Sequence, residues 1–231
     1  MAPPPFVRAV AYGLYEDGMR EAIHALKYNR LHPAARVLGQ MLAQAIAKLA
    51  GEAPAEMLLV PVPLHRSKYA QRGFNQARAL AEEALRELRK THSSWQLTLA
   101  PTTLLRLRPT ESQAGLSPRQ RRQNVRGAFQ VADAGQVTAK HVLLVDDILT
   151  TGATARAAAQ ALAKAGAASV WVATLARAQR HGAPDRERID ADRNDGYGES
   201  VIGADFGDAD FGFDFQTGLA RRTRQDKNGS N

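Results

Sequence analysis

The chain has 231 residues, 44% of them hydrophobic, enough to bury one good core. It contains no cysteine, which excludes a disulfide framework, a thiolate zinc site and a cysteine nucleophile, and no stretch approaches the ~20 apolar residues of a membrane span. Residues 1–185 carry 24 basic and 13 acidic side chains while residues 186–231 carry 7 and 10, a balance that suits a phosphate-bearing ligand or nucleic acid and that a composition rich in Arg and Ala explains equally well.

Residues 1–18 read as an N-terminal extension without the apolar run of a signal peptide, so a cytoplasmic protein with no membrane insertion is expected. Met19 to Asn29 places Ile23, Leu26 and Lys27 at helical spacing. Pro33 to Ala50 carries a broad apolar stripe from Val37 to Leu49, so a helical pair opens the main domain, expected over residues 19–184. Lys27 lies on an otherwise apolar face, where its stem is expected to snorkel. MLLVPV (57–62) is too short and too apolar for a surface helix, and Pro61 would break one, so it reads as a buried strand. Phe74 to Leu88 predicts an amphipathic helix and TTLLRLR (102–108) a second strand. Residues 109–127 are polar, Arg-rich and punctuated by Gly and Pro, which predicts a long loop with a short helix after Ser117-Pro118. Loops of this length in a compact domain are usually functional.

Ala128 to Val131 is a short strand candidate, followed by the strand HVLLVD, a helix from Ala153 to Ala165 closed by Gly166, and the strand SVWVATLAR (169–177). Strands alternating with helices imply a parallel α/β sheet. From about Arg186 the chain is rich in Gly and Asp without sustained period, so residues 185–231 are expected to be a disordered tail. Asp190, Asp192 and Asn194 open like a calcium loop, but Asp195 and Val201 stand where that loop needs Gly and Glu.

The stretch His141 to Thr154, HVLLVDDILTTGAT, carries the chemistry. In a parallel α/β sheet ligands sit beyond the carboxyl ends of the strands, and HVLLV delivers Asp146 and Asp147 to that edge. The turn Thr150, Thr151, Gly152, Ala153, Thr154 then enters a helix N-terminus, where free N–H groups and the positive end of the dipole favour an anion. Carboxylates beside a phosphate cradle make sense when they face hydroxyls or a metal, since they accept hydrogen bonds from a diol and coordinate Mg²⁺ through oxygen. A sugar phosphate is the implied ligand; an acidic pair that only caps a helix is the plainer alternative. Neither a P-loop nor a dinucleotide-binding glycine pattern is present.

VLLVDDILTTGAT resembles the signature of type I phosphoribosyltransferases, with its hydrophobic run, acidic pair, Thr-Thr-Gly and closing Thr. AIHALKYN (22–29), VPVPLHRSKYAQRGFNQA (60–77) and the run from Arg108 to Phe129 narrow the likeness to the ComF family, named for bacterial competence proteins. The resemblance covers about residues 19 to 178. It implies an α/β, parallel-sheet phosphoribosyltransferase fold with helices on both faces. It implies phosphoribosyl pyrophosphate as ligand with Mg²⁺ as cofactor, Asp146 and Asp147 holding the ribose hydroxyls and, directly or indirectly, the metal, and Thr150 to Thr154 holding the 5′-phosphate. The loop Leu64 to Arg72 would grip pyrophosphate through Arg66, Lys68 and Arg72, for which a solvated basic loop is the alternative.

Residues 109–126 would be the flap over the reaction centre, with Thr110, Gln113 and Arg119 matching the family run. Arg121 and Arg122 are as readily a solvated helix face. His65, beside the pyrophosphate loop, is the one histidine worth testing. Many ComF proteins begin with a Cys-rich zinc ribbon, and this chain starts where that module would end, so zinc binding is not carried over. Two functions follow from the resemblance. One is a ligand-binding protein of DNA uptake, with single-stranded DNA and other competence proteins as partners. The other is an active phosphoribosyltransferase of nucleotide salvage. No residue stands out as a general base, so the acceptor stays open.

Overall fold

The computed structural model describes residues 3–28, 32–109 and 117–178, and within the remaining C-terminal segment only two short strands. Five strands form one parallel sheet: β1 (Ala9–Leu14), β2 (Glu56–Pro61), β3 (Gln96–Leu99), β6 (His141–Leu149) and β7 (Ser169–Arg177), in the order β1-β7-β6-β2-β3. The central strands β6 and β7 are buried from Val142 to Val145 and from Val170 to Ala176, while β6 becomes half-buried toward its carboxyl end. Near-continuous Val, Leu and Ala runs rather than alternation are what a strand covered on both faces requires.

Among the described residues, six helices and a two-stranded ribbon surround the sheet. The helices are α1 (Asp17–Tyr28), α2 (His32–Ala47), α3 (Arg66–Arg72), α4 (Gln76–Thr91), α5 (Pro118–Val125) and α6 (Ala153–Lys164). Ile23, Leu26, Leu42, Ile46, Leu80 and Leu88 pack α1, α2 and α4 on one sheet face. Ala155, Ala158, Ala159 and Leu162 of α6 pack on the other, together with Leu104, Phe129 and Val131. The ribbon pairs β4 (Leu104–Arg106) with β5 (Phe129–Val131) antiparallel, outside the parallel sheet. Gly39 lets α2 and α4 approach closely, since a Cβ there would overlap the Cβ of Glu83.

The chain runs outward from the centre in both directions, β2 to β3 one way and β6 to β7 the other, so the strand order reverses between β2 and β6. A crevice beyond the carboxyl ends at such a reversal is where open α/β sheets bind ligands.

Several expectations change. Residues 1–18 are no separate extension: β1 pairs with β7 in register Ala9 to Val172 and falls in the same compact unit as the rest of residues 1–179. Strand β3 has too few residues to show a period. Of TTLLRLR, Leu104–Arg106 forms a strand, but in the ribbon, where it pairs antiparallel with Phe129–Val131. Leu64 to Arg72, expected as a loop, is mostly the helix α3. In the C-terminal unit, residues 180–231, β8 (Phe213–Asp214) pairs antiparallel with β9 (Leu219–Ala220). The rest of the segment expected as a disordered tail lies outside the described residues.

Candidate phosphoribosyl site

A cavity of about 410 Å³ opens at the strand reversal, lined from β1 onward by Tyr15, from α1 by Lys27, from α3 by Lys68 and Arg72, from β4 by Arg106 and from α5 by Arg121. Its floor is Asp146, Asp147 and the turn residues Thr150, Gly152, Ala153 and Thr154.

The acidic pair sits where β6 runs out beyond the sheet. Asp146 Oδ1 accepts the Asp147 N–H at 2.9 Å, and Asp147 forms an ion pair with Lys27, Nζ to Oδ2 at 2.5 Å. Although part of Asp146 faces the cavity, its carboxyl is pushed up to about 8, first by burial and then by the neighbouring Asp147, against the opposing pull of Lys27. Two buried carboxyl groups side by side resist ionising together, a cost that a bound cation would offset.

Gly152 has φ of 71° and caps α6 with no side-chain hydrogen bond to the first turn. That left-handed conformation suits glycine, and it starts α6 at the cavity wall, where the positive end of a helix dipole favours an anion. Thr150 and Thr154 line the cavity, whereas Thr151 does not. The Thr151 Oγ1 is buried with no hydrogen-bond partner among the described residues.

Opposite the carboxylates stand the cations. Helix α3 is capped by His65, whose side chain accepts the Ser67 N–H. It ends at Gly73, with φ of 80°. Asn75 then ties the following turn back to the sheet, donating from Nδ2 to the Val62 carbonyl at 3.0 Å while its Oδ1 accepts from Ala77 N–H at the start of α4. Being helical, α3 separates its basic residues. Lys68 and Arg72 are four apart and share a face; Arg66, two before Lys68, falls on the far side. The structure accordingly brings Lys68 and Arg72 to the cavity and turns Arg66 to a second, shallower groove with Tyr69, Leu105 and Leu107. Arg72 donates to Gln76 Oε1 at 2.9 Å, which fixes its direction.

Burial lowers the Lys68 ammonium from its ordinary value, and the charges of Arg106, Arg72 and Lys27 lower it further. Arg106, which sequence patterning did not single out, lies over the Phe129 ring at 5.4 Å from its centre. Burial draws its guanidinium down and Asp146 pulls it back up. The one signal in the sequence was an Arg inside an apolar strand, TTLLRLR. Of the flap residues, Arg121 lines the cavity, while Arg119 and Arg122 are exposed. Thr110 and Gln113 lie outside the described residues. His65 serves as a helix cap and is buried, away from the main cavity. Lys27 does not snorkel to solvent; it turns inward.

No group of three or more His, Cys, Asp or Glu side chains able to hold a metal occurs among the described residues. The pair Asp146 and Asp147 fits Mg²⁺ all the same, because that ion keeps several waters and is commonly held by one or two carboxylates plus ligand phosphates.

The crevice gathers an acidic pair, a glycine turn at a helix N-terminus and a facing basic helix on a parallel sheet, and the class this fold and crevice fit is that of the phosphoribosyltransferases. Residues 76–206 match the family model described as phosphoribosyl transferase domain. The DNA utilization protein YhgH of Salmonella typhi is 33% identical over 76% of this chain and 74% of its own. Competence protein F of Haemophilus influenzae is 30% identical over 76% of this chain and 75% of its own. The solved allosteric regulatory enzyme of purine biosynthesis overlaps 62% of this chain and 25% of its own, with 26% identity and a TM-score of 0.36. The chain belongs to the phosphoribosyltransferase family, in the ComF branch that includes these competence and DNA utilization proteins. No helix among the described residues is long and apolar enough to cross a membrane.

Proposed function

We propose that the cavity binds Mg²⁺-phosphoribosyl pyrophosphate and that the protein works in DNA uptake. The 5′-phosphate would sit on the turn from Thr150 to Thr154, the ribose hydroxyls on Asp146 and Asp147, and the pyrophosphate against Lys68, Arg72 and Arg106. The observation that carries this reading is that the turn, the carboxylates and the basic residues of α3 and β4 all open on one cavity. Each alone has a structural explanation, but together they match the three charged parts of one ligand. Mg²⁺, when bound, would neutralise part of the pyrophosphate charge and be held by the acidic pair.

The role in DNA uptake is drawn from the relatives' names, with single-stranded DNA and other competence proteins as expected partners. Transfer to an acceptor is the second reading. Its support is the gathering of cations where pyrophosphate would leave, since stabilising the developing charge of a leaving group is the main work of such a site.

Calorimetry with Mg²⁺-phosphoribosyl pyrophosphate tests the ligand, and pyrophosphate release with nucleobases present separates turnover from binding alone. Wild-type protein giving no heat at millimolar ligand refutes the reading of the site. For DNA, the affinity for a single strand should fall with salt at a log–log slope of about −0.7 per phosphate contact, and a shallower slope for Arg121→Ala with Arg122→Ala would assign the flap to that contact.

A further inference from the structure

We infer that Lys27 is the resident counter-cation of Asp147: it occupies the carboxylate that a free divalent cation would otherwise take, and so sets how weakly the protein binds a bare metal ion. The inference deepens the reading above and rests on its assignment of Asp146 and Asp147.

Lys27 stands in the last turn of α1, just after Leu26, which is buried in the core. A lysine so placed normally runs its stem along the apolar surface and keeps its ammonium in water. Here the side chain is only 17% exposed and its Nζ lies 2.5 Å from an Asp147 carboxylate that is 8% exposed. The ammonium therefore forgoes most of its water for this one partner, and it does so inside the cavity that Asp146, Lys68, Arg72 and Arg106 also line.

An ammonium and a metal ion compete on such a carboxylate for two reasons. They need the same oxygen lone pairs, and within a few ångströms they repel each other in a medium that screens poorly. Mg²⁺ gives up its water reluctantly. With Asp147 taken and no third metal-ligating side chain grouped with the pair among the described residues, the protein alone offers a bare ion too little. A pyrophosphate-bearing ligand changes this. It supplies oxygen ligands for the metal and an anionic partner for the displaced ammonium, so Lys27 can exchange Asp147 for a ligand oxygen without leaving the cavity.

The test titrates full-length protein with Mn²⁺ alone, followed by electron paramagnetic resonance of the free ion, and then repeats the titration with phosphoribosyl pyrophosphate present. Wild type should bind Mn²⁺ alone weakly. Lys27→Met and Lys27→Gln should bind it about tenfold tighter, a typical size for coupling between two competing ligands. Lys27→Arg should behave as wild type, and Lys27→Met with Asp147→Asn should lose the gain. Lys27→Gln keeps a hydrogen-bonding group for Asp147 and decides the matter where Lys27→Met does not fold. Equal Mn²⁺ affinity for wild type and Lys27→Gln overturns the inference, as does tight Mn²⁺ binding by wild type without ligand. A gain for Lys27→Gln with no response to phosphoribosyl pyrophosphate in any variant would instead overturn the proposed ligand and leave the role of Lys27 standing.

Discussion

Asp146→Asn should make the protein more stable at pH 8 and remove most of the pH dependence of its stability between pH 5 and 8. In the folded protein the Asp146 carboxyl is pushed up to about 8 from its ordinary 3.8. A carboxyl whose folded pKa is raised stabilises the fold fully below the unfolded value, and that contribution is lost as pH rises toward the folded one. Within this window the folded state binds one proton more than the unfolded state, so stability falls by about 1.4 kcal/mol per pH unit at most. Across the whole interval the ceiling is about 5–6 kcal/mol. Water in the cavity reaches part of Asp146 and relaxes the penalty, so about 2–3 kcal/mol between pH 5 and 8 is expected.

Asparagine is the right replacement, because its Oδ1 can still accept the Asp147 N–H that Asp146 accepts at 2.9 Å. Urea unfolding of both proteins at pH 5, 6, 7 and 8 gives the difference directly. The same proton should be released when Mg²⁺-phosphoribosyl pyrophosphate binds, since a cation favours the ionised carboxylate. Calorimetry at pH 7.5 in buffers of different ionisation enthalpy should then show release of up to one proton by wild type and less by Asp146→Asn. Parallel stability curves for the two proteins across the pH range would refute the reasoning about burial of this pair.

Three further outcomes follow from the geometry. Gly152→Val should cost binding of ribose 5-phosphate at least tenfold while pyrophosphate alone binds nearly as before, because φ of 71° is strained for a β-branched residue; isothermal titration with each ligand shows whether the two subsites are separate. Arg106→Leu should weaken pyrophosphate binding by about 1.5–3 kcal/mol, the loss of a charged hydrogen bond, whereas Arg66→Leu should change it by less than about 0.5 kcal/mol; similar losses would mean that α3 presents both faces to the ligand. Gly39→Val should lower unfolding free energy by about 1–3 kcal/mol through overpacking against Glu83, with ligand affinity per folded molecule unchanged, as read by denaturant melts and calorimetry on the same preparation.

Local patterning by itself determined the elements that matter most to the site. The run from His141 to Thr154 specifies its own strand, its acidic end and the turn into α6, because each step depends on near neighbours: apolar residues extend a buried strand, and Gly152 permits the left-handed turn. Ser117, Pro118 and Gln120 likewise specify the start of α5, whose capping box forms with Ser117 N–H donating to Gln120 Oε1 at 2.8 Å. Which charges meet depends instead on packing between elements far apart in the chain. Lys27 and Asp147 come together because α1 and the end of β6 border the same cavity, and no helical or strand period relates residues so far apart. Arg106 reaches the cavity because β4 pairs with β5 above it. Arg66 and Lys68 were indistinguishable as members of one basic stretch; once that stretch winds into a helix, about 100° of rotation per residue sends them to opposite sides. β1 joined the sheet for a similar reason, since a short edge strand acquires its hydrogen bonds from β7, at the other end of the domain's sequence, and carries little of that pairing in its own residues.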